Sequence, residues 1–222
     1  MNPNSALETD TEDEEWFRGV CKVIVKDAQG KDKSYGTGFL LKFAYEQKGM
    51  ISGFLTCQHV VNIGKYQTKL ADTSQIYLYF HSLSETETLS KIQKTGKDPI
   101  SGCDFYFAIL TDEFCNKMTS QCRVHFIEPA DHTVGEAIFV PQHAEGKNER
   151  QVAKGEFDRR YAAEPVAPHT ASTLGGSSGA PLLQFIDNEM KVIGINRGSL
   201  PGTFMNLAST ISPIVNHIKG KL

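Results

Sequence analysis

The 222-residue sequence predicts an all-β fold, a sandwich or a barrel. Three observations predict it. Short runs of β-branched and aromatic residues recur from Trp16 onward, turn residues break them at intervals, and helical periodicity is scarce. Taken in order, Val20–Lys26 (Val-Cys-Lys-Val-Ile-Val-Lys) is a β-branched run, closed by the turn material Asp27-Ala-Gln-Gly-Lys-Asp. Thr37–Lys42 and Ser52–Thr56 follow as the next two strands, then Gln75–Phe80 with its Tyr-Leu-Tyr-Phe end. Lys94-Thr-Gly-Lys-Asp-Pro reads as a turn before the strand Phe105–Leu110. Glu136–Val140, Ala180–Gln184 and Lys191–Asn196 complete the set, the last two separated by Asp187-Asn188. The polar stretch Lys147-Asn-Glu-Arg-Gln-Val-Ala-Lys reads as a solvated hairpin. One helix is expected, near the C-terminus. Ser212 is a natural N-cap, Pro213 suits the first helical position, Gly220 suits the stop, and Ile214 and Ile218 share a face.

Composition narrows the class. Hydrophobic residues make up 40% and charged residues 22%, enough for a core without disulfide or metal staples. The longest apolar run, Phe105 to Leu110, is far shorter than the roughly 20 residues that cross a bilayer, so no membrane span is expected. The start MNPNSALETDTEDEE has neither a basic nor an apolar leader region, so no secretory signal is expected. Five cysteines, without framework spacing, read as reduced thiols of an intracellular, cytoplasmic protein. The net charge of −3 conceals an acidic, disordered tail over residues 1–15 on a body of about +3. No basic stripe of the kind that binds nucleic acid is present. A seam between two units is placed near residues 120–134.

Three segments carry candidate chemistry: Gly36-Thr-Gly-Phe-Leu-Leu with Phe54-Leu-Thr-Cys-Gln-His-Val-Val, then Cys103-Asp-Phe-Tyr-Phe-Ala-Ile-Leu, then Gly175-Gly-Ser-Ser-Gly-Ala-Pro-Leu. Glycines around Ser178 let the chain turn sharply and bring main-chain N–H groups to a ligand, as an oxyanion hole requires. A serine hydroxyl is a poor nucleophile without a neighbouring base. His59 can be that base, and Asp104 can hold its tautomer and stabilise the imidazolium. Each residue alone has a blander reading: a loop serine, a core histidine, a strand-start aspartate. Their joint occurrence is what argues for a catalytic set.

These motifs resemble the chymotrypsin-like (trypsin-like) serine peptidases, and most of all the branch of the glutamyl endopeptidases, which lack an activation peptide. Leu-Thr-Cys-Gln-His-Val-Val resembles the family's L-T-x-x-H-V segment, and Gly-Ser-Ser-Gly-Ala-Pro resembles G-[DNS]-S-G-[GS]-P. Lys191-Val-Ile-Gly-Ile-Asn-Arg-Gly resembles the strand lining the specificity pocket, and Gly135-Glu-Ala-Ile-Phe-Val-Pro-Gln-His-Ala-Glu-Gly the first strand of the second barrel. The resemblance implies two antiparallel six-stranded Greek-key β-barrels with a C-terminal helix. It implies an N-terminal barrel over 16–125 carrying His59 and Asp104, and a C-terminal barrel over 126–222 carrying Ser178. It further implies a serine endopeptidase that needs no cofactor and acts on protein or peptide, with Gly176 and Ser178 as oxyanion hole. A catalytically dead binding module on the same fold is the alternative, and the span permits attachment to other domains of a longer protein.

Departures from the family pattern matter. The family reads D-[IFLV]-A-[LI]-[LI] at the acid, whereas here Tyr106 takes the small residue's place; matching Ala108 instead would put Tyr106 at the acid position. Both registers stay open on sequence, and Asp104 is favoured because tyrosine supplies no buried anion. Ser177 stands where secreted trypsins have Asp, so activation by a freed N-terminus is not expected. Ser172 occupies the position of the trypsin pocket aspartate, Thr173 matches a glutamyl endopeptidase threonine, and Asn196 replaces that branch's pocket histidine. A polar, uncharged pocket follows from the resemblance. His143 reads as a barrel-loop residue, and no Cys or His spacing suggests a metal site, so none is expected.

Overall fold

The computed structural model describes residues 8–9, 15–46, 48–63, 69–71, 75–81, 85–88, 94–96, 103–133, 135–158 and 165–222. Its first half contains β1 (Glu8–Thr9), β2 (Val20–Lys26), β3 (Asp32–Tyr45), β4 (Gly49–Thr56), the single turn α1 (Gln58–Val61), β5 (Asn62–Ile63), β6 (Lys69–Leu70), β7 (Ile76–Phe80), β8 (Glu85–Thr88), β9 (Lys94–Gly96) and β10 (Tyr106–Ile109). Helix α2 (Asp112–Asn116), prolonged by a wider turn over Lys117–Gln121, leads to β11 (Glu128–Pro129), β12 (Ala137–Gln142), β13 (Gln151–Glu156), β14 (Val166–His169), β15 (Pro181–Ile186), β16 (Glu189–Ser199), β17 (Asn206–Thr210) and α3 (Ile211–Lys221).

The strands form two curled sheets and a separate two-stranded pair, β5 with β6. One runs β8-β7-β2-β3-β4-β10-β9, and the other β1-β13-β12-β15-β16-β17-β14, with β11 alongside β16. Among the described residues the named strands pair antiparallel, except that β11 runs parallel to β16, next to a parallel bridge between Leu41 and Ile127. Strand β7 alternates buried and half-buried residues strictly, the signature of one face on a core. The turn after β2 is built by Asp27, whose Oδ1 accepts from the N–H of Gln29 at 3.0 Å and of Lys31 at 2.9 Å. The chain around the expected boundary belongs to both sheets: the Ile127 N–H donates to Leu40 in β3, while Glu128 and Pro129 pair with β16.

All eight expected strands are present, Val20–Lys26 with the expected bounds and the other seven with shifted ends. The sheets hold seven and eight strands among the described residues, because short edge strands join them. Lys94–Gly96, read as turn, pairs with β10 at the sheet edge. The stretch read as a solvated hairpin supplies β13, and Arg150 within it is buried, donating to Phe17 O and lying 5.5 Å from that ring's centroid. Strand β14 tolerates Pro168 because it is an edge strand. Residues 1–7 and 10–14 of the expected tail lie outside the described residues, and Glu8–Thr9 pairs with Val152 and Gln151.

Two cores support the sheets. The larger joins the first sheet to Leu183, Val192, Ile195 and the Ile211, Ile214, Val215, Ile218 stripe of α3. The smaller, with Ile138, Val140, Leu182 and Ile193, lies within the second sheet. The cap of α3 is Thr210 rather than Ser212, which sits inside the first turn and donates to Asp131 at 2.5 Å. Gly220 lies within the helix instead of ending it.

Candidate active site

Strand β4 ends at Thr56 and delivers Cys57 and then α1, whose buried Val60 and Val61 anchor the turn. His59 stands on that turn with its side chain 40% exposed, while Asp104, just before β10, is 19% exposed. The His59 N–H donates to Asp104 Oδ1 at 3.2 Å, and His59 Nδ1 lies 2.5 Å from Oδ2. An ionised carboxylate can only accept, so Nδ1 carries the proton and Nε2 is left with a free lone pair. Burial alone would raise the Asp104 pKa; the hydrogen bonds and charge of His59, with a smaller effect of Arg197, outweigh it and hold the carboxyl below its usual value. Asp104, not Tyr106, therefore faces His59. Tyr106 pairs with Thr56 across the sheet, its buried hydroxyl meets no partner among the described residues, and burial pushes its pKa up to about 12.

The loop bearing Ser178 belongs to the second sheet but is clamped to the first. Thr37, fully buried in β3, donates its N–H to Ser178 O at 2.8 Å and its hydroxyl to Gly176 O at 2.9 Å. The same hydroxyl accepts from the His143 N–H at 3.0 Å, and Thr37 O accepts from the Thr56 hydroxyl at 2.7 Å. Thr56 leads directly to His59, so one residue ties the serine loop to the histidine strand. The approach is close enough to demand glycine: at Gly179, with φ of 89°, a Cβ would stand 2.1 Å from Thr37 O. Gly175 O accepts from the Glu145 N–H at 2.5 Å, and in a planar trans peptide the Gly176 N–H must then point the opposite way. Among the described residues neither the Gly176 nor the Ser178 N–H is paired within the protein. Ser178 Oγ donates a long 3.4 Å bond to Arg197 O rather than to His59.

The expected pocket residues separate. Ser172 and Thr173 are half-buried on the approach to the serine, the former fixed by Gln142 donating to its carbonyl at 3.0 Å. Asn196 is 1% exposed, and both ends of its amide are engaged: Nδ2 donates to Ser177 O at 3.0 Å and Oδ1 lies 3.1 Å from His169 Nε2. The expectation that Asn196 hydrogen-bonds a substrate side chain is corrected accordingly; it braces the serine loop from behind. Its backbone does the same, with Gly179 N donating to Asn196 O at 2.8 Å. Burial lowers the His169 pKa to about 4, so it is neutral. His143 is also buried, with burial lowering its pKa to about 3. Sequence reading missed Thr37 and His169 as supports; the Gly36-Thr-Gly spacing was the available signal for the first. No metal site was expected, because no Cys or His spacing suggested one; in the fold the Sγ of Cys57 and donor atoms of His59 and Asp104 lie within 4.8 Å of one another.

A family model described as a trypsin-like peptidase domain matches residues 36–195, a span holding His59, Asp104 and Ser178. The chain belongs to that family. Its trypsin-like fold recurs in solved structures at low identity. A thermostable serine protease, AL20, from an extremophilic microorganism aligns with a TM-score of 0.65 at 14% identity, covering 92% of this chain and 96% of that one. A Glu endopeptidase in complex with MPD aligns at 0.65 and 16%, covering 98% and 95%. The serine protease domain of the Sesbania mosaic virus polyprotein aligns at 0.63 and 14%, covering 96% of each chain. No curated protein gives a significant sequence match. Among the described residues no helix of this trypsin-like chain is long and apolar enough to cross a membrane.

Proposed function

We propose that the protein is a serine endopeptidase using His59, Asp104 and Ser178. The observation that carries this reading is the 2.5 Å contact of Asp104 with His59 Nδ1, which leaves Nε2 free as a base. Ser178 Oγ exchanges its long bond to Arg197 O for one to Nε2 and attacks the peptide carbonyl while His59 takes its proton. The oxyanion accepts from the Gly176 and Ser178 N–H groups. His59⁺ then protonates the leaving amine, and water hydrolyses the acyl-enzyme by the same route. No carboxylate lies between His169 and Gly176, so nothing there would pair with a substrate Lys or Arg; Ser172 and Thr173 favour a small or polar residue before the cut. In this reading the halves 16–125 and 126–222 contribute the base and the nucleophile respectively, and no cofactor takes part. Five free cysteines suit a reducing, intracellular compartment.

The Ser178–Arg197 contact favours one alternative, a peptide-binding module that does not cleave. A fluorophosphonate probe decides between them. Labelling of the wild type that disappears in Ser178→Ala supports the peptidase; an unlabelled, folded wild type supports the binding module.

A further inference from the structure

Cys57 lies beneath the His59–Asp104 pair, fully buried, its thiol donating to Asn196 O at 3.2 Å. No step of the proposed hydrolysis uses it. We propose that a thiophilic divalent cation, zinc foremost, binds between Cys57 Sγ, His59 Nδ1 and Asp104 Oδ2 and switches off hydrolysis. The inhibition rests on the peptidase reading above, while the binding does not.

The donor set is what zinc takes: one thiolate, one imidazole and one carboxylate, with the fourth position left to water. Bond lengths of about 2.0–2.3 Å put tetrahedral donors about 3.4 Å apart. One donor atom from each of the three residues already stands within 4.8 Å of the others, and Nδ1 lies 2.5 Å from Oδ2. The pair must open by about an ångström while Sγ closes in, which is within reach of a His59 ring 40% exposed on a one-turn helix. The exposed side of His59 is also the route of entry. Thiolate and carboxylate together balance the dication; the thiol proton leaves as it enters, and the Nδ1 proton is re-sited on Nε2. Arg197, whose charge acts on both Cys57 and Asp104, opposes binding and keeps the site below the affinity of a structural zinc site. Asn196 O, which loses the thiol, keeps the Gly179 N–H at 2.8 Å, so the serine loop stays braced. With the cation on Nδ1, the imidazole carries its proton on Nε2, which then has no lone pair to accept the Ser178 proton, and His59 ceases to be a general base.

The test uses the full chain, carrying Ser178→Ala for the binding arm so that hydrolysis plays no part. Cobalt(II) serves as the spectroscopic probe and zinc as its competitor. We expect one equivalent of cobalt to give a thiolate-to-metal charge-transfer band that zinc abolishes. The band should vanish in Cys57→Ala and in Cys57→Ser, which keeps a donor to Asn196 O should the alanine variant fail to fold, and should survive in Cys115→Ala. Zinc affinity should fall by more than about 100-fold in the Cys57 variants, beyond the 10–100-fold typical of an outer-shell loss. In the chain with Ser178 intact, zinc should abolish turnover and a chelator restore it. Absence of the band, or its persistence without Cys57, overturns the site whatever the peptidase assay shows. A Cys57-dependent band with turnover unchanged by saturating zinc overturns the switch alone.

Discussion

Replacing Thr37 by valine tests how the serine loop is held. Thr37→Val keeps the shape of the side chain and removes the hydroxyl that bridges Gly176 O at 2.9 Å and His143 N at 3.0 Å. Each buried group left unpaired costs about 1–3 kcal/mol, so the loss is about 2–6 kcal/mol. Against a total stability of about 5–15 kcal/mol that is a large fraction. Denaturant unfolding should show the midpoint falling with an unchanged slope. The Gly176 carbonyl also fixes the loop that aims the Gly176 and Ser178 N–H groups. Misdirecting one oxyanion donor costs about 10²–10³ in kcat, with KM little changed. Thr37→Ser restores the hydroxyl and should recover most of both effects. A valine variant with wild-type midpoint and kcat, or a serine variant as impaired as the valine one, would refute the clamp.

Asp104→Asn should lower kcat by about 10⁴ because the amide presents the wrong partner to His59 Nδ1. Tyr106→Phe removes a buried hydroxyl without a partner among the described residues and should leave kcat unchanged; the reverse ranking would move the acid to Tyr106. Stability should fall on acidification, because His169 and His143 titrate near 4 and 3 in the folded chain and near 6.5 unfolded. Between these values the unfolded chain binds more protons, so their contribution is complete above about pH 6.5 and erodes below it, by about 3 kcal/mol for each at pH 4. A urea midpoint as high at pH 4.5 as at pH 7.5 would contradict this. A peptide-library profile should show no preference for Lys or Arg before the cut, and one dominated by them would sink the reading of the 169–176 segment.

The site was legible where chemistry constrains residue type locally. Gly-Ser-Ser-Gly-Ala-Pro and Leu-Thr-Cys-Gln-His must supply tight turns and specific side chains within a few residues. The acid was ambiguous because two alignments of the sequence, two residues apart, fit the family pattern, and the contact with His59 separates Asp104 from Tyr106. Asn196 was misjudged because its partner, His169, is 27 residues away in the chain. Among the strands, β13, β14 and β17 escaped notice for a physical reason. Their few apolar residues are interleaved with Lys, Gly, Pro, Ser and Asn, and neighbouring strands rather than local propensity hold them in place. The cap of α3 shifted because Thr210, ending β17, already has the extended backbone an N-cap needs.

The placement of α3 bears on how the molecule comes into being. Its apolar stripe completes the larger core, and its outer residues reach the first sheet: His217 lies 5.8 Å from the Phe105 ring and Lys219 5.7 Å from that of Phe43. Lys48 Nζ grasps the Leu222 carbonyl across 174 positions of chain. A nascent chain lacking α3 carries its first sheet with part of the hydrophobic interior open to water. The half made first thus waits for a segment made much later, and closure of so long a loop makes for slow acquisition of the native state. During synthesis the uncovered surface around Phe43 and Phe105 is where chaperones or aggregation would compete.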